Sequence, residues 1–258
     1  MLRFSANLSL LFTEYPLVER FAAAKRQGFE AVEIQFPYEL SATHIQSLLD
    51  EHDLQLVLFN VDADNLLQGG EGLAAAPERQ TRFHEAVEQA VAYADVLKPR
   101  AINVLPGRCL QPSRIDAYRQ TLLANLHHAA ERFAEIGVMT VFEAVNTYDM
   151  PGFIVDSGRE MVSILEAVDH ANLRLQYDLY HMSRMGEECA AFLQTHIDQI
   201  GHIQFADCPG RGQPGTGNVD FEGLFTIIDD SDYAGWLGAE YKPQGEGAQH
   251  LSWLKHFT

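Results

Sequence analysis

Eight short apolar runs, each followed by a helix-like stretch, recur along this sequence, and that alternation limits the fold more than any other feature. RFSANLSLL precedes a helix-like stretch from Val18 to Gln27, AVEIQF precedes Thr43 to Glu51, and LQLVLFN precedes a long one around Arg82 to Leu97. AINVL leads to Arg114 to Glu135, VMTVFEAV to Gly158 to Val168, LRLQYD to Glu187 to Ile197, GHIQFAD to Phe221 to Ile228, and GWLGAEY to Gly247 to His256. A helix between two strands carries the chain back to the sheet edge where it began, so such units make parallel strands. Runs such as VLF and AINVL are apolar on both faces, as strands covered on both sides must be. In Ala86 to Leu97 the apolar positions Val87, Ala90, Val91 and Ala94 recur at threes and fours, leaving Glu85, Glu88 and Gln89 for solvent. Eight such units predict an α/β protein whose strands close into one (β/α)8 barrel, rather than an open doubly wound sheet.

No Ser/Pro linker or low-complexity tract divides the chain, so residues 1–258 are expected to form one domain. Hydrophobic residues make up 47% of the sequence, enough for a large core. No apolar run approaches the roughly 18 residues that span a bilayer. The opening MLRFSANLSLLFTEY carries Glu14 and lacks a small-residue cleavage site. A cytoplasmic location without membrane association follows as the expectation. Cys109, Cys189 and Cys208 are odd in number and far apart, which favours free thiols over a disulfide framework. The net charge of -18 argues against a nucleic-acid partner, because phosphate binding needs clustered Lys and Arg. Any small anion must meet a local cation that overrides the global field. Nothing in the sequence sets the oligomeric state. Two Gly-rich connections, DADNLLQGGEGLAAAP from Asp62 to Pro77 and CPGRGQPGTGN from Cys208 to Asn218, follow strands, where barrels place substrate-covering loops.

The chemistry gathers in the C-terminal half. In LRLQYDLYHMSRM the residues Leu173, Leu175 and Tyr177 share one parity, so Asp178 ends the strand on the opposite face, with His181 three residues later. Taken singly, such an Asp is as well explained as a cap on the next short helix. Four successive strands, however, end in an oxygen-bearing side chain: Glu143, Asp178, Gln204 and Glu240. Three carboxylates and an amide at one barrel mouth would repel unless a cation sat among them, and an all-oxygen set suits Mg2+ or Mn2+. His202 faces the same way as Gln204, and is better explained as a hydrogen-bonded core histidine than as a ligand.

The segments RFSANLSLLF, VEIQFPY, FEAVNTYDMPGF, LQYDLYHMSRM, GHIQFADCPGRGQPGTGNVDF and GWLGAEYKP resemble those of the hydroxypyruvate isomerase family. That family lies within the xylose-isomerase-like TIM barrel superfamily, with sugar epimerases and a DNA-repair endonuclease branch beside it. The resemblance covers essentially the full length. It implies that Glu143 and Glu240 are the catalytic proton donor and acceptor, and that Asp178 and Gln204 join them around the metal. It implies substrate contacts from His181 and Arg211, since related epimerases place a His three residues after the strand-end Asp and an Arg three before the loop proline, here Pro214. The epimerase branch has His where this chain has Gln204, and the isomerase branch has Gln. The 2-oxo-tetronate isomerases share an opening similar to FSANLSLLFTE and VERFAAAKRQGF, whereas NTYDMPGF and YDLYHMSRM side with hydroxypyruvate isomerase.

The implied reaction interconverts hydroxypyruvate and tartronate semialdehyde by metal-assisted proton transfer through an enediolate. One carboxylate removes a carbon-bound proton and its partner reprotonates the neighbouring carbon. Arg211 suits the substrate carboxylate, because a guanidinium pairs with it bidentately, and Lys242 shares the parity of Glu240 and could add charge at the same mouth. The alternatives are a 2-oxo-tetronate isomerase or ketose epimerase on the same site. A metal-dependent phosphodiester hydrolase and a non-catalytic sugar-acid binding module stand further off.

Overall fold

The computed structural model describes residues 1–245 and 250–257. Its strands are β1 (Phe4–Asn7), β2 (Ala31–Ile34), β3 (Gln55–Asn60), β4 (Ala101–Val104), β5 (Met139–Glu143), β6 (Leu173–Asp178), β7 (Ile200–Phe205) and β8 (Leu237–Ala239). All pair in parallel in sequence order, and β8 returns to β1 through Phe4↔Leu237, Ser5↔Gly238 and Ala6↔Ala239, closing the barrel. The connections hold α1 (Leu17–Arg26), α2 (Ala42–His52), α3 (Gln80–Leu97), α4 (Ile115–Glu135), α5 (Gly158–Val168), α6 (Leu179–Arg184), α7 (Cys189–His196) and α8 (Phe221–Asp229), with α9 (Leu254–Phe257) after β8.

Local chemistry sets several of these boundaries. Ser41 and Ser157 start α2 and α5 by accepting from the backbone N–H of His44 and Glu160, and Asp220 starts α8 by accepting from Gly223. The first strand is shorter than RFSANLSLL suggests, because the N–H groups of Leu10 and Leu11 bond back to the Asn7 carbonyl and turn the chain. The sixth connection carries two helices, α6 directly after β6 and then α7. The last helix was expected from Gly247, which lies outside the described residues; its described part is α9.

Period-2 alternation divides each strand between two environments. In β6, Leu173, Leu175 and Tyr177 enter the core between barrel and helices, where Tyr177 stacks on Phe192 of α7 with ring centroids 4.3 Å apart. Phe4, Val32, Phe142, Ile203 and Phe205 belong to the same core. The opposite parity lines the barrel interior with Ser5, Asn7, Glu33, Asn103, Glu143, Gln176, Asp178, His202 and Gln204, all buried. Ala31, Val57, Ala101, Val141 and Trp236 form a separate small apolar cluster. Gly238 makes room for this polar layer, since a Cβ there would stand 2.2 Å from Glu33 Oε1.

Candidate active site

Strand register brings the chemistry together. Glu143 lies opposite Gln176 across β5 and β6, and Asp178 opposite Gln204 across β6 and β7. Glu143 Oε1 accepts from Asn103 Nδ2 at 2.6 Å. Asp178 does both things its position allows. Its Oδ1 caps α6 by accepting from the Tyr180 N–H at 2.8 Å, while its Oδ2 is buried without a hydrogen-bond partner. His181 Nε2 lies 3.5 Å from that oxygen, and ligand atoms of Glu143, Asp178 and His181 all fall within 4.8 Å of one another.

Glu240 follows β8 and is surrounded by N–H donors. Its Oε1 accepts from Gln35 at 2.9 Å, from Asn7 at 3.0 Å and from Gln204 at 3.5 Å, while Oε2 accepts from Arg211 Nη2 at 2.5 Å. The Arg211 guanidinium also sits 5.0 Å from the centre of the Tyr180 ring. Its Nε is buried and has no acceptor among the described residues. A partly buried cation with an unused N–H and a second bond lent to a catalytic-type carboxylate is arranged to take an incoming anion. Arg211 holds a left-handed backbone, φ 54°, a conformation that costs a residue with a Cβ and persists only where its surroundings impose it. Asp207 is that surrounding: its buried carboxylate accepts from the backbone N–H groups of Cys208, Gly215, Gly217 and Val219, folding the loop that carries Arg211.

The electrostatics show what the cluster lacks. Burial, then the charges of Glu240 and Asp178, push Glu143 well above the usual carboxylate range. Burial and Glu240 push Asp178 up to about 7. Burial and the Arg211 charge hold His181 well below the usual imidazole value, which favours the neutral ring. Three carboxylates thus crowd one closed space, and one of their oxygens is unpartnered. That donor set fits a divalent cation, which would offset the repulsion and give Asp178 Oδ2 its missing partner.

Gln204 and Lys242 differ from the sequence expectation in detail. Gln204 Oε1 accepts from Gln176 Nε2 at 2.7 Å, and its Nε2 donates to Glu33 Oε2 at 2.8 Å as well as to Glu240. In this arrangement the amide oxygen is engaged and Gln204 steadies a carboxylate. Lys242 is exposed, and it reaches the site through its backbone, whose N–H donates to the Arg211 carbonyl at 2.7 Å. Beneath the mouth lies a layer that sequence reasoning missed. Glu33 pairs with His202 Nε2 at 2.7 Å and also accepts from Ser5 at 2.7 Å and Asn7 at 3.4 Å. Although burial opposes it, the His202 charge and the hydrogen bonds from His202, Gln204 and Ser5 lower the Glu33 pKa. Parity in AVEIQF marked Glu33 as inward, between outward Val32 and Ile34, as the LRLQYD parity marked Asp178. His202 is the core histidine that its strand position suggested. On the same end of the barrel Ala63, Leu66, Val145 and Phe153 form a small buried apolar cluster, with Phe36, Leu105 and Met150 packed against them, all from connections that follow strands.

Comparison with known proteins follows the same line. The family model for the xylose isomerase-like TIM barrel matches residues 21–257. A hydroxypyruvate isomerase of Escherichia coli is 39% identical over 98% of both chains. A 2-oxo-tetronate isomerase of Cupriavidus necator is also 39% identical, over 100% of this chain and 99% of that one. A crystal structure described as an AP endonuclease, family 2, from Brucella melitensis superposes with a TM-score of 0.95 at 34% identity over 99% of each chain. A closed eight-stranded parallel barrel, its mouth lined with carboxylates, and full-length relatives of this kind place the chain in the xylose isomerase-like TIM barrel family, in the branch of the hydroxypyruvate and 2-oxo-tetronate isomerases, and make it an isomerase.

Proposed function

We propose that the protein interconverts a short 2-oxo acid and its aldehyde isomer, with hydroxypyruvate and tartronate semialdehyde as the pair. The observation that carries this reading is the partly buried Arg211, with one buried N–H unused and another on Glu240, set beside a cluster of carboxylates. Glu143, Asp178 and Glu240 would hold a divalent cation, Mg2+ or Mn2+, and Gln204 would join them as a fourth oxygen donor only by releasing its amide oxygen from Gln176. When bound, it would act as a Lewis acid on the substrate oxygens.

The residues themselves divide the remaining work. A substrate carboxylate that draws the Arg211 guanidinium releases Glu240 Oε2, which is then free to accept a carbon-bound proton. Glu143 Oε1 is committed to Asn103, so Oε2 is the atom that can return a proton to the neighbouring carbon. His181 faces the same space and is suited to bond a substrate oxygen.

The test is incubation of the metal-loaded protein with hydroxypyruvate in D2O, followed by NMR. Tartronate semialdehyde carrying solvent deuterium on carbon supports the proposal. No conversion of hydroxypyruvate, or full retention of the substrate hydrogen, refutes it. The same assay with 2-oxo-tetronate tests the second reading, favoured by the equally similar Cupriavidus necator relative. Cleavage of abasic-site DNA would favour a hydrolase instead, against the net charge of -18.

A further inference from the structure

We propose that Asn146, in the connection after β5, is a positioning residue that decides which ring nitrogen of His181 carries the hydrogen, so that Nε2–H faces Asp178 and the substrate space. Asn146 is fully buried and aims two N–H groups at one atom. Its side-chain Nδ2 lies 2.6 Å from His181 Nδ1, and its backbone N–H points at the same nitrogen from 3.4 Å.

The amide cannot be turned over. Nδ2 also donates to Asp149 Oδ2 at 3.1 Å, while Oδ1 accepts from the Asp149 backbone N–H at 2.8 Å. A flip would set oxygen against carboxylate and N–H against N–H. With both donors fixed, Nδ1 must present its lone pair, and in a neutral ring the hydrogen then belongs to Nε2. That nitrogen lies 3.5 Å from the unpartnered Asp178 Oδ2. A nitrogen that carries hydrogen cannot ligate a cation, so of the three groups clustered here His181 is the one that donates, to a substrate oxygen. The same Asp149 oxygen accepts from Tyr180 OH at 2.6 Å, and the Tyr180 ring lies beneath Arg211. One short connection therefore orients both groups that meet the substrate.

The role of His181 toward substrate rests on the proposed function; the position of its hydrogen does not, so the two are measured separately. Nitrogen-15 NMR of labelled histidine in the full-length protein should show Nε2 protonated and Nδ1 bare. Asn146→Asp places an acceptor-only group at Nδ1 and should put a hydrogen on that nitrogen, leaving Nε2 bare or the ring cationic. Asn146→Ala keeps the backbone N–H donor and should keep the hydrogen on Nε2. With substrate, Asn146→Asp should lower kcat/KM about tenfold or more, mainly in kcat, and Asn146→Ala less. Protonated Nδ1 in the wild type overturns the proposal. So does an Ala variant as impaired as the Asp variant with the hydrogen on Nε2 in both, which is the pattern of simple lost packing. A tautomer as expected in a protein that does not isomerise 2-oxo acids would sink the proposed function and leave the role of Asn146 standing.

Discussion

Truncating Arg211 to alanine separates a substrate clamp from a mere partner of Glu240. The side chain is only 18% exposed, so its charge acts in a partly desolvated site, where solvent screening is weak. A charge-assisted hydrogen bond lost there costs about 1.5–3 kcal/mol, or roughly 10- to 150-fold in binding. If the unused Nε–H and the Nη2–H now lent to Glu240 both turn to the substrate carboxylate, the loss lies toward the upper end. KM for hydroxypyruvate should therefore rise by that factor, with kcat changed less, because Glu240 Oε2 is freed in the variant as it is in the wild-type complex. Arg211→Lys should recover part of the loss, since an ammonium supplies charge without the two-pronged geometry. A neutral ketose offered as a comparison substrate should lose almost nothing. Steady-state kinetics on the two substrates decide the matter. A fall in kcat with KM unchanged, or equal losses for the acid and the ketose, would show that Arg211 serves Glu240 and not the substrate.

Glu143→Gln and Glu240→Gln should each lower kcat by about 10²–10⁴-fold with the fold retained, checked by circular dichroism beside turnover. Activity should vanish on exhaustive chelation and return with Mg2+ or Mn2+; turnover surviving in protein shown by elemental analysis to hold no metal would remove the cation from the mechanism. Glu143 and Asp178 also set a pH dependence. Their folded-state values lie above the unfolded ones, so the cation-free protein holds protons that the unfolded chain releases, and that stability is lost as pH rises toward about 7 and beyond. Because the depressed His181 acts with the opposite sign over the lower part of this range, the test compares variants: from pH 5.5 to pH 8 melting of the cation-free protein should fall further, or rise less, than that of cation-free Asp178→Asn, and added cation should narrow the difference; identical profiles would mean that the cluster is not strained by its charges. Glu33→Ala removes the acceptor shared by four buried donors, Ser5, Asn7, His202 and Gln204, and breaks the buried pair with His202, so it should cost about 3–5 kcal/mol in urea titration at constant m-value. A loss under about 1 kcal/mol would show that the layer is not a support.

The barrel was legible because its signal is repeated: eight apolar runs and eight helical stretches must agree before the pattern appears, so an error at one boundary does not erase it. Glu143, Asp178 and Glu240 were legible for a related reason, as each stands where its strand gives way to a loop. The donors around them were not. Asn7, Gln35 and Asn103 come from β1, β2 and β4 and their following turns, and an amide at a strand end has many structural uses. Only closure of the barrel, which sets Asn7 within 3.0 Å of Glu240, gives Asn7 and Gln35 a common target, while Asn103 serves Glu143. Asn146 was in plain view in NTYDMPGF, but its task depends on His181 arriving from another strand. The bonds that hold the Gln204 amide were not legible either, because Gln176 and Glu33, both inward by parity, come from two other strands.

Barrel closure has a further consequence, for the order in which the protein becomes active during folding. The hydrogen bond from Asn7 to Glu240 joins residues 233 positions apart, and that from Gln35 joins residues 205 apart. Contacts of such separation form last, once the entropy of the intervening loop has been overcome. The C-terminal half supplies Glu143, Asp178 and Glu240, and the N-terminal half supplies the amides that orient Glu240, so a half-barrel intermediate holds acids without their guides. Catalysis is thereby withheld from any partly folded chain. Turnover during refolding becomes a direct report of the β1–β8 seam zipping shut, arriving later than the fluorescence and circular-dichroism changes that record the helices.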